Sequence, residues 1–373
     1  MHRRRLLAAS LACALLSGAS APAWATKPVV EPVGGPLLTG RGVVVQPLPG
    51  APALPTDLTS SAWLVADLDT GEVLAAKAPH EHYLPASTLK TLTAVTLIPR
   101  LDPNQMVKAT YQDAVVDGSK VGLVPGMRYS VRKLLTAMLV VSGNDAADAL
   151  AEAAGGIGKT VRMMNAEATH LQAYDTFART PSGLDGPGES TSAYDLALIA
   201  RAGLQMADFR KYVSTVSSTV PAPHHKHFQI YTHNRLLTSY HGAIGVKNGY
   251  TVAANATYVG AATRHGHTIV ATLLNANPYF WPEARSLLDW GFAAEGKVQP
   301  VGTLVDPQQT APAATTQQQD RGSSKTTLVL SAHHGSSPIP LWQIVALAAS
   351  AAIAAVVTAR RMRRPSRLSL PPL

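Results

Sequence analysis

Short apolar runs separated by turn-forming residues mark two strand-rich parts of the chain. Residues 62–66 and 72–76 are apolar, and the Asp-Leu-Asp-Thr-Gly segment between them favours a tight turn, which predicts a β-hairpin. Residues 243–250, 256–263 and 267–275 have the same character, and a short Arg-His-Gly turn joins the last two. Together these runs predict an antiparallel sheet.

Helical periodicity dominates the region between the two groups of strands. Pro85 and Ala86 interrupt the chain, and apolar residues then recur at near-helical spacing, so a buried helix is predicted to begin at Ser87. Helical patterns with glycine-rich joints occupy about 101–210, and residues 282–292 predict a last helix. The predicted fold is α/β in the broad sense, more narrowly α+β: an antiparallel sheet flanked by helices, with a mostly helical insert.

Both ends of the chain resemble targeting segments. Residues 1–25 combine three arginines, an apolar run and an Ala-Trp-Ala cleavage pattern, which is typical of a secretory signal peptide. Leu341 to Ala359 contains no charge and as a helix would extend about 29 Å, enough to cross a bilayer. Five arginines follow it, so the positive-inside rule favours a transmembrane helix over a buried core helix and places the upstream chain outside the cytoplasm.

These ends divide the chain into six expected segments. Residues 26–58, rich in proline, glycine and valine, are expected to form an extended leader, and 301–338, with Gln317-Gln318-Gln319, a flexible tether. Between them lies one folded domain, 59–300. The remaining segments are the signal peptide at 1–25, a single-pass C-terminal transmembrane helix at 339–360, and a basic cytoplasmic tail at 361–373.

The overall charge and the single cysteine exclude several classes of function. Eight of the 32 basic residues lie in the signal peptide or directly follow the uncharged segment that ends at Ala359, and the other 24 nearly balance 23 acidic residues, so we expect no nucleic-acid partner. Cys13 lies in the signal peptide, so the mature protein has no thiol chemistry. His224-His225-Lys226-His227 lacks accompanying carboxylates, which favours a solvated loop, and we expect neither a metal nor a cofactor.

The first candidate for chemistry is Ser87-Thr88-Leu89-Lys90. Residues three apart share a helix face, so an amine at Lys90 can reach the Ser87 hydroxyl. A lysine can accept the serine proton only if burial and nearby cations lower its pKa. The alternative is a plain helix-capping serine with a solvated lysine, and the S-x-x-K pattern alone does not decide between them.

Two further motifs follow along the chain. Ser142-Gly143-Asn144 lies at a break between two helical runs, where a simple helix-cap turn is the alternative. Lys247-Asn248-Gly249, followed by Tyr250 and Thr251, lies on a predicted strand. Gly249 would let a substrate backbone approach and Lys247 could pair with a carboxylate, although Asn-Gly is also a common hairpin turn.

In this order, the three motifs resemble the S-x-x-K, S-D-N and K-T-G signature of penicillin-binding proteins and class A β-lactamases. The chain is similar to the low-molecular-mass D-alanyl-D-alanine carboxypeptidases from about Ser61 to Phe292. The similarity also includes Asp67-x-Asp69-Thr70-Gly71, Pro85-Ala86-Ser87, the run from Ser142 to Ala147, Ser182-Gly183-Leu184-Asp185 and Asn234-Arg235-Leu236-Leu237. The resemblance implies a serine β-lactamase/DD-peptidase-like fold.

The resemblance also implies roles for individual residues. Ser87 would be the acylated nucleophile with Lys90 as its base, and Ser142 would relay a proton to the departing D-alanine. Asn144 would hold the substrate amide. Lys247 and Thr251 would receive the terminal carboxylate. The backbone of Ser87 and Tyr250, next to Gly249, would form the oxyanion hole. The implied substrate is the peptidoglycan stem peptide, β-lactams would be covalent inhibitors, and the location would be the cell membrane with an extracytoplasmic domain.

Several departures keep alternatives open. Asn248 replaces the usual threonine, and the segment 274–277 lacks the arginine that often binds the carboxylate in this family. The β-rich domain that usually follows the catalytic one is also missing. A class A-like β-lactamase would need a glutamate for deacylation, and Glu167 and Glu189 lie in the appropriate stretch without the expected neighbours. A non-catalytic wall-binding or sensor module is a third possibility, and carboxypeptidase and endopeptidase action are not separated.

Overall fold

An eight-stranded antiparallel sheet forms the centre of the computed structural model, which describes residues 32–309. The seven strands of its main path have the order β11-β1-β3-β2-β10-β9-β8, and β12 pairs with β3. These strands are β1 (Val43–Pro47), β2 (Ala62–Asp67), β3 (Glu72–Lys77), β8 (Ala243–Thr251), β9 (Asn255–Arg264), β10 (His267–Ala276), β11 (Val298–Gln299) and β12 (Gly302–Thr303). Two hairpins lie outside the sheet: β4 (Met106–Lys108) with β5 (Arg128–Ser130), and β6 (Ser217–Pro221) with β7 (His227–Tyr231).

Helices cover both faces of this sheet. They are α1 (Lys90–Leu97), α2 (Tyr111–Val115), α3 (Val131–Val140), α4 (Asn144–Ala153), α5 (Ile157–His170), α6 (Ala193–Gln205), α7 (Ala207–Val213), α8 (Leu236–Ser239) and α9 (Trp281–Ala294). Two 3₁₀ helices span Pro36–Thr39 and Ala86–Leu89. The α+β class with an antiparallel sheet is thereby confirmed, as are the predicted strands of β2, β3, β8, β9 and β10.

The core is divided by the sheet into two layers. Leu64 and Ala66 of β2 face the larger cluster, which includes α1, α3 and α6, whereas Trp63 and Val65 face the smaller cluster against α9. Because successive side chains of a strand point to opposite faces, a strand buried on both sides consists of continuous apolar residues. β2 is buried from end to end, which explains its unbroken apolar run at residues 62–66.

The turn that contains Ser87 differs slightly from its prediction. The helix expected to begin at Ser87 starts with the 3₁₀ turn Ala86–Leu89, and α1 follows from Lys90. Ala86 has a positive φ of 46°, so the chain enters the turn through a conformation that an α-helix does not contain. The α-helical hydrogen bonds therefore begin three residues later than expected.

The folded unit extends beyond both expected boundaries, 59 and 300. Within the expected leader, Val43–Val45 of β1 pair with β3, and Leu38 is fully buried. Within the expected tether, β12 pairs with β3, and Leu304 is buried. Both segments join the sheet through backbone hydrogen bonds to β3. A composition rich in proline and glycine gives no indication of such pairing.

The predicted targeting segments lie outside the part that the structure describes. This applies to the signal peptide, 1–25, the transmembrane helix, 339–360, and the basic tail, 361–373. Among residues 32–309, no helix combines the length and apolar character that a bilayer crossing requires.

Candidate active site

Ser87 is held at the junction of helix and sheet by its neighbours. The carbonyl oxygen of Pro85 accepts hydrogen bonds from the hydroxyls of Thr88, at 2.5 Å, and Thr257 of β9, at 2.8 Å. Gly183 packs so closely that a Cβ there would lie 1.9 Å from the Ala86 carbonyl oxygen. The turn is thereby fixed from three sides, and the half-buried Ser87 is left at the edge of β8.

Lys90 is the buried cation beside this serine. Its Nζ donates to Ser87 Oγ at 2.9 Å, to Asn144 Oδ1 at 2.7 Å and to the Ser182 carbonyl oxygen at 2.6 Å. Complete burial lowers the pKa of Lys90 well below its ordinary value, and the charge of Lys247 lowers it further. A neutral amine in this position could accept the Ser87 proton.

The Ser142-Gly143-Asn144 motif forms the joint between α3 and α4. Ser142 is buried with a positive φ of 62°, and Asn144 is the first residue of α4. The Asn144 side chain accepts from Lys90 and donates to the Asp117 carbonyl oxygen at 2.7 Å. Ser87, Lys90 and Asn144 are therefore connected directly, whereas Ser142 makes no side-chain hydrogen bond within residues 32–309.

Asp145 stabilises the loop that borders this joint. Its fully buried carboxylate accepts the backbone N–H groups of Val121, Gly122 and Leu123 at 2.8–3.0 Å. Charge-assisted bonds of this kind are stronger than neutral ones. The loop that contains the Asp117 partner of Asn144 is therefore held rigidly beside Lys90.

β8 forms the opposite wall of the site and is an end strand of the sheet. Lys247 is buried, its Nζ donates to the Asn248 carbonyl oxygen at 2.6 Å, and burial lowers its pKa to about 7. A Cβ on Gly249 would lie 2.6 Å from the Ser87 backbone nitrogen, so only glycine allows the strand to approach Ser87 this closely. Tyr250 is exposed beyond it.

The environment of Thr251 differs from what the resemblance implied. Its hydroxyl donates to Asp185 Oδ1 at 2.8 Å and accepts the Ala254 N–H at 3.0 Å. A threonine expected to receive a substrate carboxylate thus already contacts a carboxylate of the protein. A substrate carboxylate bound by Thr251 would therefore lie close to a second negative charge.

An open cavity of about 490 Å³ adjoins β8. Residues of four segments line it: Thr232, His233 and Arg235 before α8, Asn248–Tyr250 of β8, Ala256 of β9, and Pro278, Phe280 and Trp281 around the start of α9. Burial and the charge of Lys247 lower the pKa of His233. The pattern of strands and helices could not reveal this cavity, because its walls come from distant parts of the chain.

Several contributing residues received no role from sequence reasoning. Ser182 and Asp185 lie in the run 182–185, and Arg235 lies in the run 234–237. Both runs were noted only because they resemble the carboxypeptidase family. Their signal was the short motif itself, which indicates similarity but not what each side chain contacts. Thr257 and Asp145 act through backbone hydrogen bonds, for which the sequence offers no distinct pattern.

Two groups of side chains within residues 32–309 have ligand spacing suitable for a metal. They are Asp67 with His267 and Glu295, and His80 with Asp175 and Asp195. Neither includes a residue of the Ser87 site, and both contain close histidine–carboxylate contacts, such as His80 Nδ1 to Asp175 Oδ2 at 2.7 Å. The His224–His227 segment lies at the turn of the β6–β7 hairpin and belongs to neither group.

Comparisons with known proteins agree on one family. Residues 49–278 match the family model described as D-alanyl-D-alanine carboxypeptidase. The chain is 42% identical over 265 residues to the D-alanyl-D-alanine carboxypeptidase DacB2 of Mycobacterium tuberculosis, covering 69% of this chain and 88% of that protein. It is 30% identical over 241 residues to DacF of Bacillus subtilis, covering 62% of this chain and 61% of that relative.

Solved structures show the same likeness. A D-alanyl-D-alanine carboxypeptidase from Mycobacterium tuberculosis superposes with a TM-score of 0.66 at 41% identity, over 70% of this chain and all of that one. A Streptomyces DD-transpeptidase superposes with a TM-score of 0.62 at 29% identity, over 65% of this chain and all of that one. The DD-peptidase fold expected from the motifs is thereby confirmed.

Proposed function

Because the chain belongs to the D-alanyl-D-alanine carboxypeptidase family, we propose that it removes the terminal D-alanine of peptidoglycan stem peptides through an acyl-enzyme on Ser87. The activity itself is that of a serine-type D-alanyl-D-alanine carboxypeptidase, a hydrolase with a penicillin-binding fold. The individual residue roles and the exact substrate are the proposal.

In the proposed acylation, Ser87 Oγ attacks the carbonyl carbon between the two terminal D-alanines. Neutral Lys90 takes the hydroxyl proton, and the negative charge that develops on the carbonyl oxygen is received by the N–H groups of Ser87 and Tyr250. Ser142 donates its hydroxyl proton to the nitrogen of the departing D-alanine and takes the proton of Lys90 in exchange, which leaves Lys90 neutral. The peptide bond breaks, and an ester to Ser87 remains.

In the proposed deacylation, a water molecule attacks this ester. Lys90, neutral again, takes a proton from the water, and Ser87 recovers its own as the ester bond breaks. The shortened stem peptide leaves with a new terminal carboxylate. A β-lactam would acylate Ser87 in the same way but depart slowly, since its amine remains attached to the acyl group.

Substrate positioning is assigned to the two walls of the site. Asn144 would hold the amide of the stem peptide, and Gly249 would let that peptide lie against β8. An end strand offers backbone groups to an added strand, which supports this orientation. Lys247 would act as a nearby cation. The hydrogen bond from Thr251 to Asp185 would hold the β8–β9 turn in position beside the substrate.

The observation that supports this proposal most directly is the Lys90–Ser87 contact. The two atoms are 2.9 Å apart, and the lysine is completely buried. A solvated lysine beside a capping serine, the alternative explanation of the S-x-x-K pattern, does not describe this environment. A buried lysine whose pKa is lowered, in hydrogen-bond contact with the hydroxyl, is what an activated serine requires.

The test is to incubate the purified protein and its Ser87→Ala variant with a pentapeptide stem and to measure free D-alanine. We expect release by the parent and a loss of at least about 10³-fold in the variant, because the nucleophile is absent. Fluorescent penicillin should label only the parent. Rapid, sustained nitrocefin hydrolysis would instead indicate a β-lactamase. A parent that neither releases D-alanine nor becomes labelled would indicate a binding module.

We further propose that the enzyme is exported and anchored in the cell membrane. The supporting features are the signal-like residues 1–25, the uncharged segment within 339–360 and the arginines that follow it. This arrangement would place residues 59–300 outside the cytoplasm, where the stem peptides are. Folding of that domain needs no disulfide, since Cys13 would be removed with the signal peptide.

A further inference from the structure

His80, Asp175 and Asp195 form a cluster of one imidazole and two carboxylates that is separate from the Ser87 site. One ligand atom from each residue lies within 4.8 Å of the other two. The three residues come from the segment after β3, the loop after α5 and the first turn of α6. Because His80 and Asp175 are 95 residues apart, the spacing of motifs along the sequence does not predict this cluster.

The imidazole of His80 is held so that its Nδ1 faces the carboxylates. Its Nε2 lies 3.0 Å from the Val33 carbonyl oxygen, which can only accept a hydrogen bond, so Nε2 carries a proton. The ring also packs against Tyr194, with the two ring centroids 4.7 Å apart. Histidines that bind metals are commonly oriented in this way, by a hydrogen bond from the other ring nitrogen to a carbonyl.

The cluster requires a positive charge between its electron-pair donors. In neutral His80, Nδ1 is an acceptor, and it lies 2.7 Å from Asp175 Oδ2, which is also an acceptor. Asp195 is 1% exposed, and its carboxylate accepts the Thr176 hydroxyl at 2.7 Å. No lysine or arginine within residues 32–309 forms an ion pair with either carboxylate. The charge is therefore supplied by a proton within the cluster or by a bound cation.

The types of ligand favour zinc over magnesium or calcium. His82 adds a second imidazole, whose Nε2 lies 3.1 Å from Asp175 Oδ1. Imidazoles together with carboxylates suit four-coordinate Zn²⁺, whereas Mg²⁺ and Ca²⁺ prefer oxygen ligands. Since the ligand atoms of a tetrahedral zinc ion are about 3.3 Å apart, His80 and Asp175 would separate by only about 0.6 Å on binding.

The second group with ligand spacing, Asp67 with His267 and Glu295, has a structural explanation of its own. Asp67 Oδ1 accepts the backbone N–H groups of Asp69 and Thr70 at 2.7 and 3.1 Å, so this carboxylate already stabilises the β2–β3 turn. Its one imidazole, on His267, is nearly half exposed. This group therefore serves as an internal reference for the first.

We propose that the cluster binds one structural Zn²⁺ ion through His80, Asp175 and Asp195, supported by His82. The ion supplies the positive charge that the cluster requires and replaces the direct contact between His80 and Asp175. None of these residues belongs to the three motifs, so the inference is independent of the proposed function.

The proposed ion joins the segment before Ser87 to the start of α6. Tyr83 and Thr191 exchange two backbone hydrogen bonds of 2.9 Å beside the cluster, so the segments that carry the ligands are already paired. His82 is five residues before Ser87. Zinc would hold these segments together on heating, and its expected effect is therefore on stability rather than on the chemical step.

The test measures zinc binding by the full-length protein, prepared without a histidine tag and treated with a chelator. Equilibrium dialysis against ZnCl₂ followed by elemental analysis should find one more zinc ion per chain in the parent than in His80→Asn. Zinc at about 100 times its Kd should raise the Tm of the parent by about 5–10 °C and that of the variant by less than about 2 °C. MgCl₂ at the same concentration should raise neither.

His267→Asn is the matched control, because it removes an imidazole from the reference group and leaves the proposed ligands in place. It should bind as much zinc as the parent, and loss of the ion in this variant would contradict the assignment. Zinc bound at the His224–His227 turn would be common to all these proteins and cancels in the difference. Equal zinc contents of the parent and His80→Asn would overturn the proposal.

Cobalt gives a second readout that separates the loss of a ligand from misfolding. Co²⁺ in place of Zn²⁺ should give the parent the visible absorption of a four-coordinate site, and Asp175→Asn should abolish it while circular dichroism shows an intact fold. Should Asp175→Asn unfold, His82→Asn replaces it, because the His82 side chain is 62% exposed. That variant should bind zinc about 10-fold more weakly, whether His82 contacts the ion or orients Asp175. Unchanged zinc affinity in a folded variant of either residue would contradict the proposed site.

Discussion

At the residue scale, the charge on Lys90 is set by competing neighbours. Burial and Lys247 lower its pKa, whereas the carboxylates of Asp148, Glu189 and Asp145 raise it. The first influences dominate, so the balance favours a neutral amine. Substituting any of these neighbours should therefore shift the pH at which the neutral amine of Lys90 forms, while Ser87 itself is unchanged.

Asp148→Asn should move the acid limb of the kcat/KM profile to lower pH. Asp148 has a pKa raised to about 6, mainly by burial, so it is largely ionised at pH 7, where its charge favours protonated Lys90. Removing that charge lowers the pKa of Lys90 further, and the neutral base then forms at lower pH. The measurement is D-alanine release by parent and variant across the pH range.

Two comparisons make this outcome specific. Lys247→Gln removes a cation and should move the limb of benzylpenicillin acylation to higher pH, the opposite direction. Asp208→Asn removes an exposed charge on α7 that does not act on Lys90, and should leave the profile in place. A limb that stays fixed in both Asp148→Asn and Lys247→Gln would argue against Lys90 as the titrating base.

Spacing alone brought together only residues that are close in sequence, whereas distant residues such as Asn144 and Lys247 were named through the resemblance to a family, and other distant contacts were missed. Ser87 and Lys90 are one helical turn apart, so spacing alone brings them together. Thr251 and Asp185 are far apart in sequence, and their hydrogen bond depends on how the β8–β9 turn meets the loop after α5. The place of Arg235 in the same cavity as Asn248 is likewise a result of tertiary packing.

At the scale of elements, the sequence predicted the strands whose burial on both faces requires a run of apolar residues. β2 and β10 are covered on both faces, so their apolar runs are unmistakable. β6 and β7 have exposed positions and polar residues such as Ser217, Ser218 and Thr219, and this hairpin was not predicted. β1 was missed although Val43–Val45 is typical of a strand, because the surrounding prolines and glycines favoured an extended leader and the pairing with β3 is a tertiary contact.

The position of β1 and β12 leads to a prediction about domain limits. A fragment of residues 59–300 should be less stable than one of residues 32–309 by roughly 5 kcal/mol, because it lacks buried Leu38, Val301 and Leu304, each worth about 1.5–3 kcal/mol. It also exposes an edge of β3, which favours aggregation. Urea unfolding followed by circular dichroism measures the difference.

The comparison has a direct internal check. Both fragments contain Ser87, Lys90 and the whole of β8, so fluorescent penicillin reports whether the site survives in each. We expect labelling of the longer fragment and weak or absent labelling of the shorter one. Identical urea midpoints would show that the expected boundaries at 59 and 300 already enclose the cooperative unit.

At the scale of the whole molecule, the enzyme must reach a substrate that lies outside the cytoplasm. The nearly balanced charge of the part between the targeting segments offers no strong electrostatic attraction to an anionic membrane surface. Attachment would therefore depend on the hydrophobic segment near the C-terminus. Two hypotheses then make different predictions: an anchor there, or a freely secreted enzyme.

Removing residues 339–373 should transfer the penicillin-labelled protein from the membrane fraction to the soluble exported fraction of a bacterial host that recognises the export signal. A helix of 19 uncharged residues contributes enough apolar burial for stable insertion, whereas the tail alone does not. Removing only residues 361–373 is the matched control and should keep the protein in membranes, because the apolar segment remains. Recovery of the full-length protein in the soluble fraction would contradict the anchor, and D-alanine release by the shortened protein would show that catalysis does not require it.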